Sequence, residues 1–342
     1  MRKIIFYNLL FLFLGLILIE LIFGNWIFGP KFSSLIIKRN ITKVWNPTHY
    51  ESNHAAMYKK DEFGFRGDYK NISNVKIITV GGSTTDERWI DENLTWSHLL
   101  QKKLENTYAN IKVANAGTMG QSTIGHLKNF EIWFNQIPNL KPEYFIYYIG
   151  INDSILLLKA LDKYKDKRNY NEADTLVSKK LFERQVRYLK NNSVFYKLFK
   201  LIDGYFLAKK YGVTHFTSTW KNKKKFKPIE VNKEDKIVLQ FLIEYQKRLK
   251  KINERTKKYK SKTIFITQNV HKDHFLSNAL NIINITTKNF CINNEIICLP
   301  LDEKVNFDFE KNFYDGIHTR PSGNKKIAEY ISYELKKKIE KK

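Results

Sequence analysis

Cysteine is nearly absent from this chain of 342 residues: Cys291 and Cys298 are the only two. Two thiols close one bridge at most, so neither a disulfide framework nor a four-cysteine zinc site organises the fold. They could pair in an oxidising compartment, but they are placed on a helix end and the strand that follows, and free, buried thiols are the favoured reading. Only 7 prolines are present, with 15 glycines, so Pro-rich or Gly-rich low-complexity architecture is excluded. Acid is also scarce, 34 Asp and Glu against 59 Lys and Arg, for a net charge of +25. Such an excess of base suits phosphates and acidic polymers. The cations are spread out, however, and the local runs Lys221–Lys227 and Lys336–Lys342 come with no nucleic-acid motif. Nucleic acid is therefore not the expected partner, and an anionic lipid or polysaccharide surface fits better. A metal is not expected either: His271-Lys272-Asp273-His274 offers two histidines without a third ligand.

What the chain does have is ample apolar matter, 43% hydrophobic and 14% aromatic residues, enough for a large packed core. One long apolar run stands apart. Ile4 to Phe23 matches the ~20 residues that cross a hydrocarbon layer, broken mainly by Asn8, Gly15 and Glu20, with Trp26 positioned for the interface. No A-x-A-like cleavage site follows it, so residues 1–24 are read as a single-pass signal anchor. Glu20, near the end of the run, reaches the headgroup region. Arg2 and Lys3 favour a cytoplasmic N-terminus, whereas Lys31, Lys38, Arg39 and Lys43 argue the reverse. Long domains translocate largely regardless of charge, so the bulk of the chain is expected in the periplasm or outside the cell.

Residues 25–73 show little periodicity and read as a connector with Pro30, Pro47 and a turn from Asp61 to Gly67. Order begins near residue 74. Val75–Val80, Ile111–Ala114, Tyr144–Ile149, Thr263–Thr267 and Glu295–Leu299 read as five strands. Helical patterns separate them: Thr95–Leu104, Asp235–Lys258 and about 322–338. Strands alternating with helices imply a parallel sheet covered on both faces, a three-layer α/β fold. Between Asn152 and Thr263 the interval exceeds one crossover, so about 155–232 is read as a helical insertion within a domain spanning 74–342. In it, Phe195, Tyr196 and Phe199 are expected to form core. For Asp235–Lys258, Ile237, Leu239, Leu242, Ile243, Leu249 and Ile252 are expected to form the apolar side.

Open α/β sheets bind ligands at the carboxyl ends of their strands, and four segments fall there. Gly81-Gly82-Ser83-Thr84-Thr85 follows the first strand and presents Ser83 on a Gly-Gly turn. Asn115-Ala116-Gly117-Thr118-Met119-Gly120 follows the second, Gly150-Ile151-Asn152-Asp153 the third, and Asp315-Gly316-Ile317-His318 precedes the last helix. A serine hydroxyl becomes a nucleophile when a base takes its proton, and imidazole does so when a carboxylate fixes its tautomer. Ser83, His318 and Asp315 supply these roles, Asp315 reaching His318 across one turn. The oxyanion of an acyl intermediate then needs donors, which Ser83 N–H, Gly120 N–H and the Asn152 amide can provide. Other residues are candidates for lining substrate: Arg66, which also suits a turn-stabilising role; Gln268, which also suits a structural hydrogen bond; and His271.

These residues carry a resemblance to the SGNH, or GDSL-type, hydrolase superfamily, whose four initials are matched by Ser83, Gly120, Asn152 and His318, with Asp315 completing D-x-x-H. The match runs from about 74 to 340 outside the insertion. The segment from Asp61 to Gly67, together with Gly81–Thr85 behind an apolar span, is similar to membrane-anchored bacterial members. The resemblance implies a flavodoxin-like α/β/α sandwich, a five-stranded parallel sheet in order 2-1-3-4-5, and ester hydrolysis or acyl transfer without metal or cofactor. One position departs from the family: Gly82 stands where the name-giving motif has Asp. Catalysis does not need that Asp, but loop geometry and substrate class depend on its neighbourhood. The expected function is a serine esterase removing an acyl group, with O-acetyl favoured, from an extracytoplasmic carbohydrate or lipid. An O-acyltransferase acting on a surface polysaccharide and an inactive, membrane-tethered glycan-binding or assembly protein are the alternatives.

Overall fold

The computed structural model of the chain describes residues 2–24, 26–27, 37–45, 55–69, 71–108, 110–164, 192–210 and 227–339. Two compact units emerge: Met1–Ile36 with Lys167–Thr214, and Ile37–Asp166 with His215–Lys342. In chain order the helices are α1 (Arg2–Phe23), α2 (Ser83–Asp86), α3 (Trp96–Glu105), α4 (Thr123–Ile132), α5 (Ile151–Tyr164), α6 (Val194–Lys210), α7 (Lys236–Lys258), α8 (Ser277–Asn293), α9 (Leu301–Lys304), α10 (Phe309–Asn312) and α11 (Pro321–Ile339). The strands are β1 (Ile41–Trp45), β2 (Ala56–Lys60), β3 (Val75–Gly81), β4 (Lys112–Asn115), β5 (Tyr144–Tyr148), β6 (Lys262–Ile266) and β7 (Ile297–Leu299).

The larger unit is built on a parallel five-stranded sheet in the order β4-β3-β5-β6-β7, which is the expected 2-1-3-4-5 arrangement. The central strand β5 reads Tyr-Phe-Ile-Tyr-Tyr, and all five residues are buried because a parallel strand inside such a sheet is covered twice. Its side chains alternate between two cores. Tyr144, Ile146 and Tyr148 join Trp96, Leu100 and Leu104 of α3 and Ile327, Ile331 and Leu335 of α11. Phe145 and Tyr147 face the opposite way, where the Phe145 ring meets Phe130 of α4 and Tyr259, and the Tyr147 ring meets Phe265. The third layer is completed by α7 and α8. On α7 the buried residues are Val238, Tyr245, Leu249, Ile252 and Thr256. Leu239 and Ile243 are about half exposed, at 48% and 49%, which corrects the expected apolar side. At about 100° per residue, Val238 shares a face with Tyr245 and Leu249, and Leu239 does not.

The strand pairing matters most at one edge. Gly81 is level with Tyr148, Tyr148 with Ile266, and Ile266 with Leu299. The residues immediately after these four positions therefore meet along one line.

Three other expectations are revised. The sheet-bearing unit begins at Ile37, not at 74. Strands β1 and β2 pair antiparallel; β2 buries Tyr58, and the turn after it buries Phe65 and Arg66, tying to β4 through Arg66 N–H donating to Asn115 O at 2.8 Å. Second, Cys291 and Cys298 form a disulfide and are not free thiols. The turn after α8, closed by Ile296 N–H on Cys291 O at 3.0 Å, folds β7 back beside the helix and brings the two Cα atoms to 5.9 Å. That separation is ordinary for a disulfide. Third, Phe195 and Phe199 are exposed, at 38% and 61%, and are not core. Of the expected helical insertion, 165–191 and 211–226 lie outside the described residues, as do Pro30, Pro47 and most of the basic run Lys221–Lys227.

Candidate active site

The nucleophile turn begins where β3 ends. Gly82 caps a single helical turn, its carbonyl accepting from Thr85 N–H and Asp86 N–H at 3.1 and 2.9 Å, and Ser83 is the first residue of that turn. Ser83 is partly exposed while Thr84, Thr85 and Asp86 are buried. The turn is tied down from four directions. Asn115 Nδ2 donates to Thr85 O at 2.8 Å, and Trp96 Nε1 donates to Thr84 O at 3.1 Å. Gln268 Nε2 donates to Thr84 Oγ1 at 2.6 Å. Arg66, fully buried, donates to the carbonyls of Asp86, Glu87 and Ile90 and pairs with Glu92 at 2.9 Å.

This placement corrects two of the substrate-lining expectations. The Arg66 guanidinium is occupied inside the protein by three carbonyls and a carboxylate, so it fastens the turn and does not line substrate. Gln268 is 2% exposed, and its other amide atom, Oε1, accepts from Ile151 N–H at 2.8 Å. It therefore links the nucleophile turn to the start of α5 across the ends of three strands. His271 alone of the three stays near the surface, its N–H donating to Gly316 O at 3.3 Å and its ring edge-on to Phe309.

His318 arrives from the far end of the chain. His318 Nε2 lies 2.8 Å from Ser83 Oγ, and Nδ1 lies 2.6 Å from Asp315 Oδ2. Asp315 is held in turn, because its Oδ1 accepts from Ile317 N–H at 3.0 Å and His318 N–H at 2.7 Å. Imidazole and carboxylate are both buried, so water does not compete for their bond. Tyr314 stacks on the imidazole at 5.6 Å, with an interplanar angle of 11°. No sequence signal pointed to that ring.

The two expected side donors lie on the segments that follow β4 and β5. Gly120 takes φ +70°, the left-handed region that favours glycine, and a Cβ there would meet nothing within 4 Å. Asn152 Nδ2 donates to Gln121 O at 2.9 Å, leaving its second N–H available, and Ser83, Gln121 and Asn152 are all partly exposed. Asp153 locks this pair of segments together. It accepts from Thr123 N–H at 3.1 Å and Thr123 Oγ1 at 2.6 Å, and Arg248 sits 3.6 Å away. The sequence places Asp153 beside Asn152, yet its partner Thr123 is recognisable only once the fold brings α4 to α5.

Burial sets the electrostatics behind the turn. It pushes the Glu87 carboxyl up to about 8, with the Arg66 cation opposing that rise. It lowers the Lys60 ammonium, an effect that Asp86 at 3.4 Å counters. It raises Asp153 against the hydrogen bonds from Thr123. Each group is buried, which favours its neutral form, and each has a partner that opposes the shift.

Gly82 has a packing reason of its own. A Cβ at this position would lie 2.1 Å from Asn152 Nδ2 and 3.2 Å from Gln121 O. The end of the Asn152 side chain would have to move. Gly82→Ala is therefore expected to lower kcat for p-nitrophenyl acetate by ~10²–10³-fold, the usual effect of losing one oxyanion donor. Its melting temperature should stay close to that of the wild type. Steady-state kinetics beside calorimetry checks this, and unchanged kcat would show that the Asn152 amide is not needed where it stands.

Among the described residues no group of three or more His, Cys, Asp or Glu side chains could hold a metal ion. Comparison with known proteins adds the following. A family model described as GDSL-like Lipase/Acylhydrolase matches residues 77–331. None of the curated proteins matches the sequence. Similar solved structures include a lipolytic protein of the G-D-S-L family from Desulfitobacterium hafniense, 12% identical over 75% of this chain and 97% of that one, with a TM-score of 0.43. Another is a member of the same family from Veillonella parvula, 14% identical over 75% and 95% of the two chains, at 0.42. A third is a catalytic mutant of an acetylxylan esterase from Geobacillus stearothermophilus, 13% identical over 76% and 93%, at 0.43.

Proposed function

The chain belongs to the GDSL-like lipase and acylhydrolase family and is a hydrolase acting on ester bonds, and from that premise we propose a membrane-anchored serine esterase whose nucleophile is Ser83. The observation that carries the proposal is the continuous relay from Ser83 Oγ to His318 Nε2 at 2.8 Å and from His318 Nδ1 to Asp315 at 2.6 Å. Ser83 Oγ attacks the ester carbonyl as His318 takes its proton, and Asp315 stabilises the imidazolium. Negative charge on the carbonyl oxygen is met by Ser83 N–H, Gly120 N–H and the Asn152 amide. His318 then returns the proton to the leaving alcohol. Water, deprotonated by the same imidazole, attacks the acyl-serine, and the acyl C–O bond breaks as His318 returns the proton to Ser83 Oγ, releasing the acid and restoring the serine.

The substrate is an acyl ester, O-acetyl above all, on a carbohydrate or lipid outside the cytoplasm. The apolar helix α1 supports attachment to a membrane, with Lys3–Phe23 long and apolar enough to cross one. Arg2 and Lys3 before it support a cytoplasmic start and an external enzyme. The Cys291–Cys298 disulfide fits an oxidising compartment.

A fluorophosphonate probe should label the wild type and leave Ser83→Ala unlabelled. Incubation with an O-acetylated polysaccharide should then release free acetate from the wild type only. Equal labelling of both proteins removes Ser83 as nucleophile. Labelling with acetate moved to another sugar hydroxyl, and none freed, makes the enzyme an acyltransferase.

A further inference from the structure

The smaller unit holds a feature that ester hydrolysis does not use. On α6, Phe195, Leu198, Phe199, Ile202 and Phe206 are exposed, at 38%, 52%, 61%, 49% and 61%. Their spacing of three, one, three and four places all five within an arc of about 100°, a continuous apolar stripe along three turns. By the same spacing Lys197, Lys200 and Asp203 fall outside that arc. An exposed apolar stripe of this length marks a surface that something covers.

What covers it follows from where α6 begins. Glu20, near the end of α1, is fastened to the first turn of α6: its carboxylate accepts from Ser193 Oγ, from Val194 N–H at 2.8 Å and from Phe195 N–H at 3.3 Å. It also accepts from Trp26 Nε1 at 3.1 Å. Ser193 Oγ in turn accepts from Tyr196 N–H at 3.0 Å, capping the helix. The start of α6 is thus fixed at the level where α1 ends its apolar run, beside a tryptophan suited to the membrane interface. Along its length α1 remains open, with Ile4, Phe11 and Leu18 exposed at 66%, 70% and 59%, so α6 does not run back beside it. The apolar surface of α1 and the stripe on α6 are joined at Glu20.

We propose that α6 is a second membrane contact, an interfacial helix whose stripe lies in the bilayer that α1 crosses. The proposal rests on α1 being a membrane span. Five apolar side chains on one arc, with Lys197 and Lys200 off it and Lys209 and Lys210 at the far end, are the composition of a helix lying in the plane of a bilayer, its apolar side ~5–10 Å into the boundary layer. Four lysines against one aspartate in α6 favour anionic lipid. Glu20 acquires a role here: it satisfies the free N–H groups of a helix that starts at the membrane surface, where hydrocarbon offers them no partner.

The test uses the full chain in vesicles of phosphatidylcholine and phosphatidylglycerol, with an environment-sensitive nitrobenzoxadiazole label on single cysteines introduced as Ile202→Cys, Lys197→Cys and Leu12→Cys. The native cysteines are paired with each other and take no label. The Ile202 label should emit to the blue of the Lys197 label, be quenched by spin-labelled lipid carrying a shallow nitroxide, and resist aqueous iodide. Strong iodide quenching is expected at Lys197. If iodide quenches Ile202 and Lys197 equally, α6 faces water and the proposal falls. If Ile202 resists iodide and lipid nitroxide alike, protein covers the stripe, and the proposal falls as well. Quenching of Ile202 by a mid-bilayer nitroxide overturns the interfacial placement. The Leu12 label separates the two ideas: without quenching by mid-bilayer nitroxide, α1 is not a span and the proposal for α6 falls with it.

Discussion

Ser83→Ala is expected to lower kcat for p-nitrophenyl acetate by at least ~10⁴-fold, since removing the nucleophile of a serine hydrolase leaves only the contribution of binding and oxyanion stabilisation. The fold should not notice the change. Ser83 is partly exposed at the first position of α2, and the bonds that fasten this turn go to Thr84, Thr85, Asp86 and Glu87. What the alanine loses is the 2.8 Å bond to His318 Nε2. A stability change within ~0.5 kcal/mol is expected for such a site. Kinetics and calorimetry on the same preparation are both required. A variant that retains wild-type turnover would remove Ser83 from the chemistry, whereas one that loses turnover and also melts far below the wild type would leave its catalytic role unproved.

Asp315→Asn has the second largest expected effect, a fall in kcat of ~10⁴-fold with little change in KM, as in other triads where the carboxylate becomes an amide. The reason is which ring nitrogen carries the proton. Asp315 Oδ2 accepts from His318 Nδ1–H at 2.6 Å, leaving Nε2 bare to take the serine proton. An amide nitrogen in that place donates towards Nδ1, so the proton moves to Nε2 and the base is blocked. Meanwhile the amide oxygen can still accept from Ile317 N–H and His318 N–H, as Oδ1 does now. Asp315→Asn should therefore keep its melting temperature, whereas Asp315→Ala should lose both activity and loop order. Equal kcat for Asp315→Asn and wild type would show that the tautomer is not set by this residue.

The chemistry-bearing segments were legible because each combines residue types with a strand end. Val75–Val80 running into Gly81-Gly82-Ser83 marks both a candidate nucleophile and the edge of the sheet it follows. The supporting residues were not legible, since their partners come from distant turns. Arg66 sits in a turn rich in Gly and Asp, where an arginine ordinarily faces water, and its bridges to Lys60 and to Asn115 on β4 carry it under the serine turn. Gln268 and Thr84 are separated by 184 residues. The cysteines mislead for a local reason: the turn between α8 and β7 doubles back within seven residues, and spacing alone does not reveal such a reversal. Phe195 and Phe199 were assigned to core because apolar helical spacing looks the same whether protein or lipid covers it.

The level strand ends have a consequence for how this enzyme can change. Ser83 and Asn152 follow directly on the neighbouring strands β3 and β5, whose register sets Gly81 opposite Tyr148. Slipping β5 by a single residue would carry Asn152 about 3.3 Å along the strand axis, farther than a hydrogen bond tolerates. It would also turn Tyr144, Ile146 and Tyr148 away from α3 and α11 toward the opposite layer. Alternation in the core thus acts as a ruler for the active edge. Replacements that keep the size pattern of β5 are free to accumulate, and any that favour the neighbouring register should abolish turnover before the protein unfolds.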